Sequence, residues 1–473
     1  MGANRESRLP APGSSVSHSP AVSFWHDSVP DSLAPGKSLE SDIAADVVIV
    51  GAGYTGLWTA YYLKKNNPAL DIAILEAGTA GFGASGRNGG WCSAYLSGID
   101  QWLDDPSSRE GGIRLQRALF DTIPEIGRVT AEESVDCHFE QSGALEIAVI
   151  PQQQKRLREE LDHLWGLGFS EDDYRLLNAG DIRRTLDVDG ALGAIHMKHC
   201  ASVHPARLAR GLADTVQRLG VSIYEKSPVL EISQGCVTTP RGTVKAEMVL
   251  LATEGYSGTI RGRKRHLIPI HSMMVITEPL GQQQTREISF NKRYCFGNMD
   301  RMVTYGHLTA DNRIAFGCRG TYHYGSAIKT FYADDPEFDR VRETLIRFFP
   351  SLAGVTFTHA WGGCMGVSRT LRPSVCFDAE SRLGWAGGYF GNGVGAAHLA
   401  GQTLADLAMG RDTDRVHTPW VNPPGASRRW EPEPVRWLGI RSRAQLMHLA
   451  DGAEYRDNPI APALSKTLET LFP

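Results

Sequence analysis

The sequence predicts an α/β protein, and three observations support this fold class. Residues 45–78, ADVVIVGAGYTGLWTAYYLKKNNPALDIAILEAG, have the pattern of a strand, a glycine-rich turn, a helix and a second strand. A similar strand, turn and helix recur at residues 385–410. Between them, runs such as GALEIAVI and RIAFGCRGTYHYGS alternate or run apolar as sheet strands do. With 473 residues, 42% of them hydrophobic, the chain is long enough for about two or three domains.

The composition excludes several classes of protein. The net charge is −4 without a polybasic run, so we expect neither nucleic acid nor an anionic membrane as a partner. The sequence contains no apolar run of about 18 residues, so we expect no transmembrane segment. Residues 1–21 are rich in serine and proline, which predicts a disordered tail and not a secretory signal. The 8 cysteines have no paired spacing, so we expect no disulfide framework, no metal site and a cytoplasmic location.

The segment of residues 45–78 predicts a dinucleotide site. Residues 47–50 form a continuous apolar run, typical of a strand buried on both faces. In the GxGxxG pattern that follows, one glycine turns the chain, one admits the pyrophosphate and one lets the helix pack on the strand; these are Gly51, Gly53 and Gly56. The helix N-terminus at Tyr54 and Thr55 would face the phosphate charge. Glu76 ends the second strand, where it could bind a ribose and would repel a 2′-phosphate. The motif alone does not separate FAD from NAD.

A second glycine-rich stretch, GASGRNGGW at residues 83–91, follows Glu76 closely. NAD dehydrogenases usually continue from the second strand into a helix, whereas residues 77–91 here form a long loop over the nucleotide site. Such a loop suits a longer dinucleotide. On these motifs the chain resembles the FAD-dependent oxidoreductases of the D-amino-acid oxidase superfamily, and within it the gamma-glutamylputrescine oxidoreductase-like branch. The resemblance covers about residues 22–455.

The resemblance implies that FAD is the cofactor and that three parts of the chain hold it. The loop would wrap the FAD, with Ser85 and Arg87 near the phosphates or the ring. Residues 249–258, VLLATEGYSG, would lie beneath the pyrophosphate, and Val229 would hold the adenine edge. The last helix would aim its N-terminus at the flavin and stabilise the negative charge that arrives with a hydride. The other FAD-binding residues expected are Ala77, Gly86, Asn88, Gly89, Gly90, Trp91, Ala252, Thr253, Gly391, Asn392, Gly393 and Val394.

The resemblance also implies two interleaved domains. One is a Rossmann-type FAD-binding domain, and the other is a mixed, largely antiparallel α+β substrate domain whose sheet covers the flavin. A C-terminal helical arm would follow, because EPEPVRWLGIRSRAQLMHLAD has an amphipathic helical pattern. The expected limits are residues 45–125, 201–261 and 361–410 for the FAD-binding domain, 126–200 and 262–360 for the substrate domain, and 411–473 for the arm.

The expected reaction is a direct oxidation of a substrate at the flavin. The sequence has no second GxGxxG for a nicotinamide and no CxxC dithiol. In the resembled family a neutral amine loses a hydride to the flavin, the imine product is hydrolysed by water, and oxygen yields hydrogen peroxide. We therefore expect oxidation of the C–N bond of a small amine or amino acid. Two alternatives stay open: a dehydrogenase that passes electrons to a quinone or partner protein, and a non-catalytic FAD-binding module.

Several polar residues are candidates for the substrate pocket. Arg319 matches a family strand that borders the site, where it could clamp a carboxylate or phosphonate or instead form an interdomain salt bridge. His271 could approach the flavin from a strand end or be an ordinary buried histidine. Arg372 replaces an acid that many relatives carry, which favours anionic substrates. Near Gly395, sarcosine oxidase-like relatives carry a lysine that this chain lacks, so sarcosine is not expected. The other candidates are Tyr305, Tyr322, Tyr324 and Asn392.

Cys364 raises the question of a covalent flavin. In sarcosine oxidase-like relatives the cysteine of a Cys-Met pair is bonded to the flavin 8α-methyl group, and Cys364 and Met365 occur at a comparable place. Formation of a bond to the flavin needs a thiolate, and a nearby cation such as Arg369 or Arg372 could lower the pKa of the Cys364 thiol. The alternative is an ordinary buried cysteine without a bond to the cofactor.

Overall fold

The computed structural model describes residues 22–30 and 33–471, and the tail predicted for residues 1–21 lies outside the described residues. The strands are β1 (Ile43–Val50), β2 (Ile72–Leu75), β3 (Trp91–Ser93), β4 (Ala144–Ala148), β5 (Tyr174–Asn178), β6 (Gly193–Met197), β7 (Cys200–Ser202), β8 (Ser222–Tyr224), β9 (Glu231–Ser233), β10 (Cys236–Thr239), β11 (Gly242–Leu251), β12 (Leu267–Thr277), β13 (Cys295–Asn298), β14 (Thr304–Leu308), β15 (Ile314–Arg319), β16 (Phe357–Ser368), β17 (Ser374–Asp378) and β18 (Leu383–Gly387). The α-helices are α1 (Phe24–Asp27), α2 (Tyr54–Asn66), α3 (Asp100–Leu103), α4 (Arg109–Glu132), α5 (Pro151–Gly166), α6 (Ala179–Thr185), α7 (Pro205–Arg218), α8 (Gln282–Glu287), α9 (Asp339–Phe348), α10 (Gly393–Ala408), α11 (Val435–Tyr455) and α12 (Ala461–Leu471).

The first sheet contains the predicted strand, turn, helix and strand of residues 45–78. Its order is β17-β18-β11-β1-β2-β8, with β10 and β9 attached to β11. The strands from β18 to β8 are parallel, and β17 is antiparallel to β18. Val47 and Ile49 of β1 pack with residues of α2 and α10, whereas Val48 and Val50 pack in a separate cluster on the other face. Burial on both faces explains the uninterrupted apolar run.

The second sheet has the order β16-β12-β15-β14-β13-β4-β6-β5. Its pairs are antiparallel except for β13 with β4. One face packs on α9, where Phe316 of β15 meets Phe348 in an edge-on ring contact. The opposite face turns toward the first sheet. The mixed, interleaved α/β architecture predicted from the sequence is therefore confirmed.

Three predicted limits between the two domains fall inside regular elements, and one of them, between residues 200 and 201, divides β7, which pairs with β3. β16 pairs with β12 along its length, so residues 361–368 belong to the second sheet and not to the domain of the first sheet. α4 continues through the limit predicted between residues 125 and 126, because Ile123, Ile126 and Val129 share one buried core with α2. β16 and α4 each pass from one predicted domain to the other without a break, α4 even though Pro124 lies just before the limit.

The two ends of the described chain lie against both domains. Residues 22–30, which we call the N-terminal segment, insert Trp25 between Ala206 of α7 and Trp361 of β16. The predicted C-terminal arm consists of α11 and α12, and Asp451 of α11 forms an ion pair of 3.0 Å with Arg301. In the part of the chain that the structure describes, no helix is both long and apolar enough to cross a membrane.

Candidate active site

A cavity of about 790 Å³ lies between the two sheets. It begins at the carboxyl end of β1 and extends to the face of the second sheet opposite α9. Most of the predicted cofactor residues line it, although they come from seven separated stretches of sequence. They are Gly51, Gly53, Tyr54, Thr55, Glu76, Ala77, Ser85, Arg87, Asn88, Gly89, Trp91, Val229, Ala252, Thr253, Cys364, Gly391, Asn392, Gly393 and Val394.

Three predicted cofactor glycines lie behind the cavity wall. A Cβ at Gly56 would collide with the carbonyl oxygen of Gly51, so its absence allows α2 to pack against β1. A Cβ at Gly86 would collide with the His26 ring, and one at Gly90 would lie 2.7 Å from the Val203 carbonyl oxygen. These residues thus shape the site through close packing and do not line it.

The turn at Gly51 brings bare backbone to the cavity. Gly51 has φ +104°, a conformation that favours glycine, and a Cβ there would lie 2.6 Å from the Ala252 carbonyl oxygen. Gly53 then caps α2 without a side-chain hydrogen bond. The Ser85 hydroxyl accepts a hydrogen bond of 2.9 Å from the Tyr54 N–H, which joins the loop of residues 83–91 to the start of the helix. This end of the cavity offers a helix N-terminus to an anion.

Glu76 occupies the place expected of a ribose ligand. Its carboxylate accepts hydrogen bonds from the N–H of Ala52, at 2.9 Å, and from the N–H of Gly78, at 2.7 Å. Burial raises the pKa of Glu76, and these two hydrogen bonds oppose the rise. The backbone therefore fixes the carboxylate beside the cavity. Together with the glycine turn and the helix N-terminus, this arrangement fits the phosphates and ribose of FAD.

The loop of residues 83–91 forms one wall of the middle of the cavity. Arg87 donates hydrogen bonds to the carbonyl oxygens of Phe82, at 2.9 Å, and Gly362, at 3.3 Å. Its guanidinium also lies 4.5 Å from the Phe82 ring centre. Arg87 thereby ties the loop to β16. The Trp91 indole donates to the Gly306 carbonyl at 3.1 Å and contacts the Tyr305 ring edge-on.

Arg319 lies at the far end of the cavity, on β15. Its guanidinium is 4.2 Å from the Phe390 ring centre and donates a hydrogen bond of 3.3 Å to the Phe390 carbonyl oxygen. Among the described residues no carboxylate lies within salt-bridge distance of it, so the interdomain salt bridge considered from the sequence is not formed there. Burial lowers its pKa to about 10, so the side chain is cationic at neutral pH. A half-buried cation without an acidic partner is suited to bind an anionic ligand.

Two further predicted elements border this end. The Tyr305 hydroxyl is hydrogen bonded to the Ser272 hydroxyl, and both residues line the cavity. Asn392 is the N-cap of α10, and its side-chain amide donates to the Ser97 hydroxyl at 3.1 Å. The N-terminus of α10 therefore faces the cavity from the first domain, in the place expected of the helix that addresses the flavin.

Glu254 is a cavity residue that the sequence did not single out. Its carboxylate accepts hydrogen bonds from the N–H groups of Gly388, at 3.1 Å, and Tyr389, at 3.0 Å. Burial raises its pKa to about 7. Its position directly after β11 was the available signal, since ligands of parallel sheets bind beyond the carboxyl ends of the strands. Glu254 holds the turn before α10 against the end of β11.

A group of acidic residues, also missed, lines the side of the cavity away from Arg319. Glu146 lies on β4, Glu160 on α5 and Asp100 at the start of α3. We call these three residues the acidic wall. The surrounding atoms restrict the hydration of Glu160 and, together with repulsion from Glu146 and Asp100, raise its pKa to about 8. Within the described ranges no group of three or more such side chains is arranged to hold a metal ion.

Four predicted substrate residues do not line the cavity. His271 is 1% exposed and points to the opposite face of β12, where its ring nitrogen accepts a hydrogen bond of 3.1 Å from the Lys329 N–H. Tyr322 donates to the Glu433 carboxylate at 2.6 Å, near the arm, and Tyr324 is exposed. Arg372 lies with its guanidinium 5.1 Å from the Trp102 ring centre. We therefore carry no substrate role forward for these residues.

Cys364 lines the cavity, but its surroundings disfavour a thiolate. Burial raises the pKa of its thiol to about 11, although Tyr256 and Arg87 act in the opposite direction. The cations expected from the sequence to lower this pKa are engaged elsewhere. Arg369 forms an ion pair of 2.8 Å with Glu431, and Arg372 lies on Trp102.

We expect the FAD to be held without a covalent bond to Cys364. Acid precipitation should leave the yellow colour in the supernatant, because a thiol with its pKa at about 11 supplies little thiolate at neutral pH. Mass spectrometry of the pellet should give the unmodified mass of the chain. A yellow pellet that becomes colourless in Cys364→Ser would instead establish the bond.

Comparisons with known proteins agree with this geometry. The chain matches the family described as DAO, FAD dependent oxidoreductase, over residues 46–407. It is 31% identical over 405 residues to gamma-glutamylputrescine oxidoreductase of Escherichia coli (strain K12), covering 83% of this chain and 90% of that relative. It is 28% identical over 382 residues to a probable oxidoreductase, OrdL, of Haemophilus influenzae (strain ATCC 51907 / DSM 11121 / KW20 / Rd), covering 78% and 84%.

The fold has a matching solved structure. Glycine oxidase from Geobacillus kaustophilus superposes with a TM-score of 0.65 at 20% identity, covering 78% of this chain and 96% of that chain. The correspondence spans both domains, since it includes most of each chain.

Proposed function

The chain belongs to the DAO family of FAD-dependent oxidoreductases, and from this premise we propose that it oxidises the C–N bond of a small amine or amino acid. When bound, FAD supplies the acceptor of the substrate hydride. The organic product would be an imine, which water hydrolyses. We further propose oxygen as the electron acceptor, which makes hydrogen peroxide the second product.

The observation that carries this proposal is the continuity of the cavity. The cradle at Gly53 and Glu76 opens without a break onto the wall formed by Trp91, Tyr305 and Arg319. A small molecule bound at that wall would lie at the end of the cavity remote from the phosphate and ribose sites. The names of two similar proteins, gamma-glutamylputrescine oxidoreductase and glycine oxidase, support an amine or amino acid as that molecule.

The side chains at the wall would bind and orient the substrate. Arg319 would hold an anionic group, and the Tyr305 hydroxyl, joined to Ser272, would limit where the rest of the molecule lies. The described cavity-lining residues include no histidine, both carboxylate oxygens of Glu254 accept backbone hydrogen bonds, and the acidic wall lies away from Arg319. We therefore assign no side chain the role of base. The substrate amine would instead react in its neutral form, for which no proton transfer to the protein is needed.

The acidic wall supports an amine-bearing substrate. Carboxylates at a cavity wall attract cations from solution, and a bound cation would favour the ionised forms of Glu146 and Glu160. Arg319 on β15 and Glu146 on β4 are three strand spacings apart in the sheet order, or about 14 Å. We therefore propose a substrate whose anionic group lies near the reacting carbon. If the substrate carries a further amino group besides the reacting one, that cationic group would reach the acidic wall.

Anaerobic reduction by a set of amines tests this function. We expect at least one amine that carries a carboxylate or phosphonate to remove the yellow absorbance of the flavin. Admission of air should then restore the absorbance at least as fast as the steady-state turnover rate with that amine. A substrate with a cationic group besides the reacting amine should have a KM about 2- to 5-fold below that of its uncharged analogue, because the ionisation of a buried carboxyl group offsets part of the gain from the ion pair. Glu146→Gln should reduce that difference.

The rate of flavin reoxidation and its reduction by amines distinguish an oxidase, a dehydrogenase and a non-catalytic module. Slow restoration by air with fast restoration by a quinone would replace the oxidase by a dehydrogenase. If no amine removes the absorbance while dithionite still does so, the protein is a non-catalytic FAD-binding module. Equal KM values for the charged and uncharged analogues would contradict the role of the acidic wall without affecting the redox assignment.

A further inference from the structure

The N-terminal segment lies behind the loop that forms the cavity wall. It comprises residues 22–30 and precedes the part of the chain that matches the family, which begins at residue 46. Its short helix α1 contacts α7 and β16. The segment thus touches the loop of residues 83–91 on the side opposite the cavity.

Three successive carbonyl groups of the loop accept hydrogen bonds on this outer side. The Ser23 hydroxyl donates to Gly86, the Trp361 indole donates to Arg87, and the Trp25 indole donates to Asn88. Each of these hydrogen bonds is 2.8 Å long. Two of the three donors belong to the N-terminal segment, and the third belongs to β16.

The donors are held in place by burial and ring contacts. Ser23 and Trp361 are fully buried, and Trp25 is 1% exposed, so water does not replace these hydrogen bonds. The Trp25 ring stacks on His307 at 5.9 Å and meets Trp361 edge-on at 6.0 Å. The indole of Trp25 therefore has little freedom to turn away from the loop.

Fixing the outer carbonyls determines what the loop presents to the cavity. Ser85, Arg87 and Asn88 line the cavity. The Ser85 hydroxyl also accepts a hydrogen bond from the N–H of Tyr54 at the start of α2. The side-chain amide of Asn88 donates to the Ser85 carbonyl at 2.8 Å. A displacement of the outer carbonyls would thus move the groups that face the phosphate end of the site.

We propose that Ser23 and Trp25 are positioning residues of the FAD site, and that the N-terminal segment forms its outer support. They act through the loop and do not touch the cofactor. The inference depends on FAD as the cofactor and is independent of the substrate proposed above. Simple apolar packing of the segment would not require a hydrogen-bond donor at either residue.

Trp25→Phe and Ser23→Ala test the proposal by removing the donors and keeping most of the packing. We expect FAD to bind the full-length apoprotein of each variant about 3- to 30-fold more weakly, since each leaves a buried carbonyl without its partner. The visible circular dichroism of the bound flavin should change, because the loop beside it shifts. Phe24→Leu is the matched control, since Phe24 packs in the same cluster and forms none of these three hydrogen bonds.

The readouts distinguish positioning from general stability. Positioning predicts weaker FAD binding in Ser23→Ala and Trp25→Phe with apoprotein melting temperatures close to that of Phe24→Leu. The proposal is overturned if both donor variants bind FAD with the wild-type dissociation constant and flavin spectrum. It is equally overturned if Phe24→Leu weakens FAD binding as much as they do.

Discussion

Gly53→Val should purify as a folded but colourless protein. Gly53 is the N-cap of α2, and a Cβ there would already lie 3.0 Å from the Ser85 hydroxyl oxygen. The branched valine side chain would occupy the space through which the pyrophosphate approaches the backbone. We expect FAD affinity to fall by about 100-fold or more, which corresponds to about 2.7 kcal/mol of binding free energy. Visible absorbance of the purified protein and titration of the apoprotein with FAD measure this loss.

A control variant shows whether the position or the residue type matters. A Cβ at Gly354, in the turn before β16 and outside the cavity, would meet no atom within 4 Å, so Gly354→Val should remain yellow. The far-ultraviolet circular dichroism of Gly53→Val should match that of the wild type, because α2 starts at the next residue. A yellow Gly53→Val protein with one FAD per chain would contradict the assigned phosphate site.

Arg319→Ala should raise the KM of an anionic substrate by about 10- to 1000-fold, as expected when one partner of a buried ion pair is lost. The expectation follows from the position of the guanidinium in the cavity and from its lack of an acidic partner among the described residues. The variant should still bind one FAD per chain, since the phosphate and ribose sites lie at the other end of the cavity. Steady-state kinetics with the best substrate of the amine set provide the measurement.

Arg372→Ala is the matched control for this variant. It also removes one arginine, but from a position against Trp102, outside the cavity, so KM should stay within about 3-fold of the wild type. Arg319→Lys should recover part of the affinity through its charge, without the planar geometry of the guanidinium. Unchanged KM together with a lower melting temperature in Arg319→Ala would assign Arg319 a structural role. A neutral best substrate would also argue against the anion site.

The nucleotide end of the cavity was predictable because its parts are local. Gly51, Gly53 and Glu76 lie within one strand, helix and strand unit, so their spacing alone implies their proximity. The substrate end was not predictable to the same degree. On β12, the side chains of His271 and Ser272 point to opposite faces, and only Ser272 lines the cavity. Sequence spacing does not reveal which face of such a strand is turned toward the ligand.

Long-range neighbours account for the other omissions. Asp100, Glu146 and Glu160 come from three elements that meet only when the second sheet has formed, and no motif connects them. Trp25 reaches Asn88 from 63 residues away. Arg319 was found because a family strand provided its context, whereas Tyr322 and Arg372, chosen by the same reasoning, point away from the cavity.

The interleaving of the two sheets has a consequence for protein synthesis. β1 can pair early with β2, but its other partner is present only when β11 has been made, as in the pairing of Val47 with Met248, and β18 joins that sheet through Trp385 later still. The second sheet is likewise incomplete until β16, its edge strand beside β12, has been made. A nascent chain that ends at residue 350 therefore has neither sheet complete and exposes apolar strand edges. Both domains must close together near the end of translation, so prematurely terminated chains should be substrates for chaperones and proteases and should not accumulate as folded single domains.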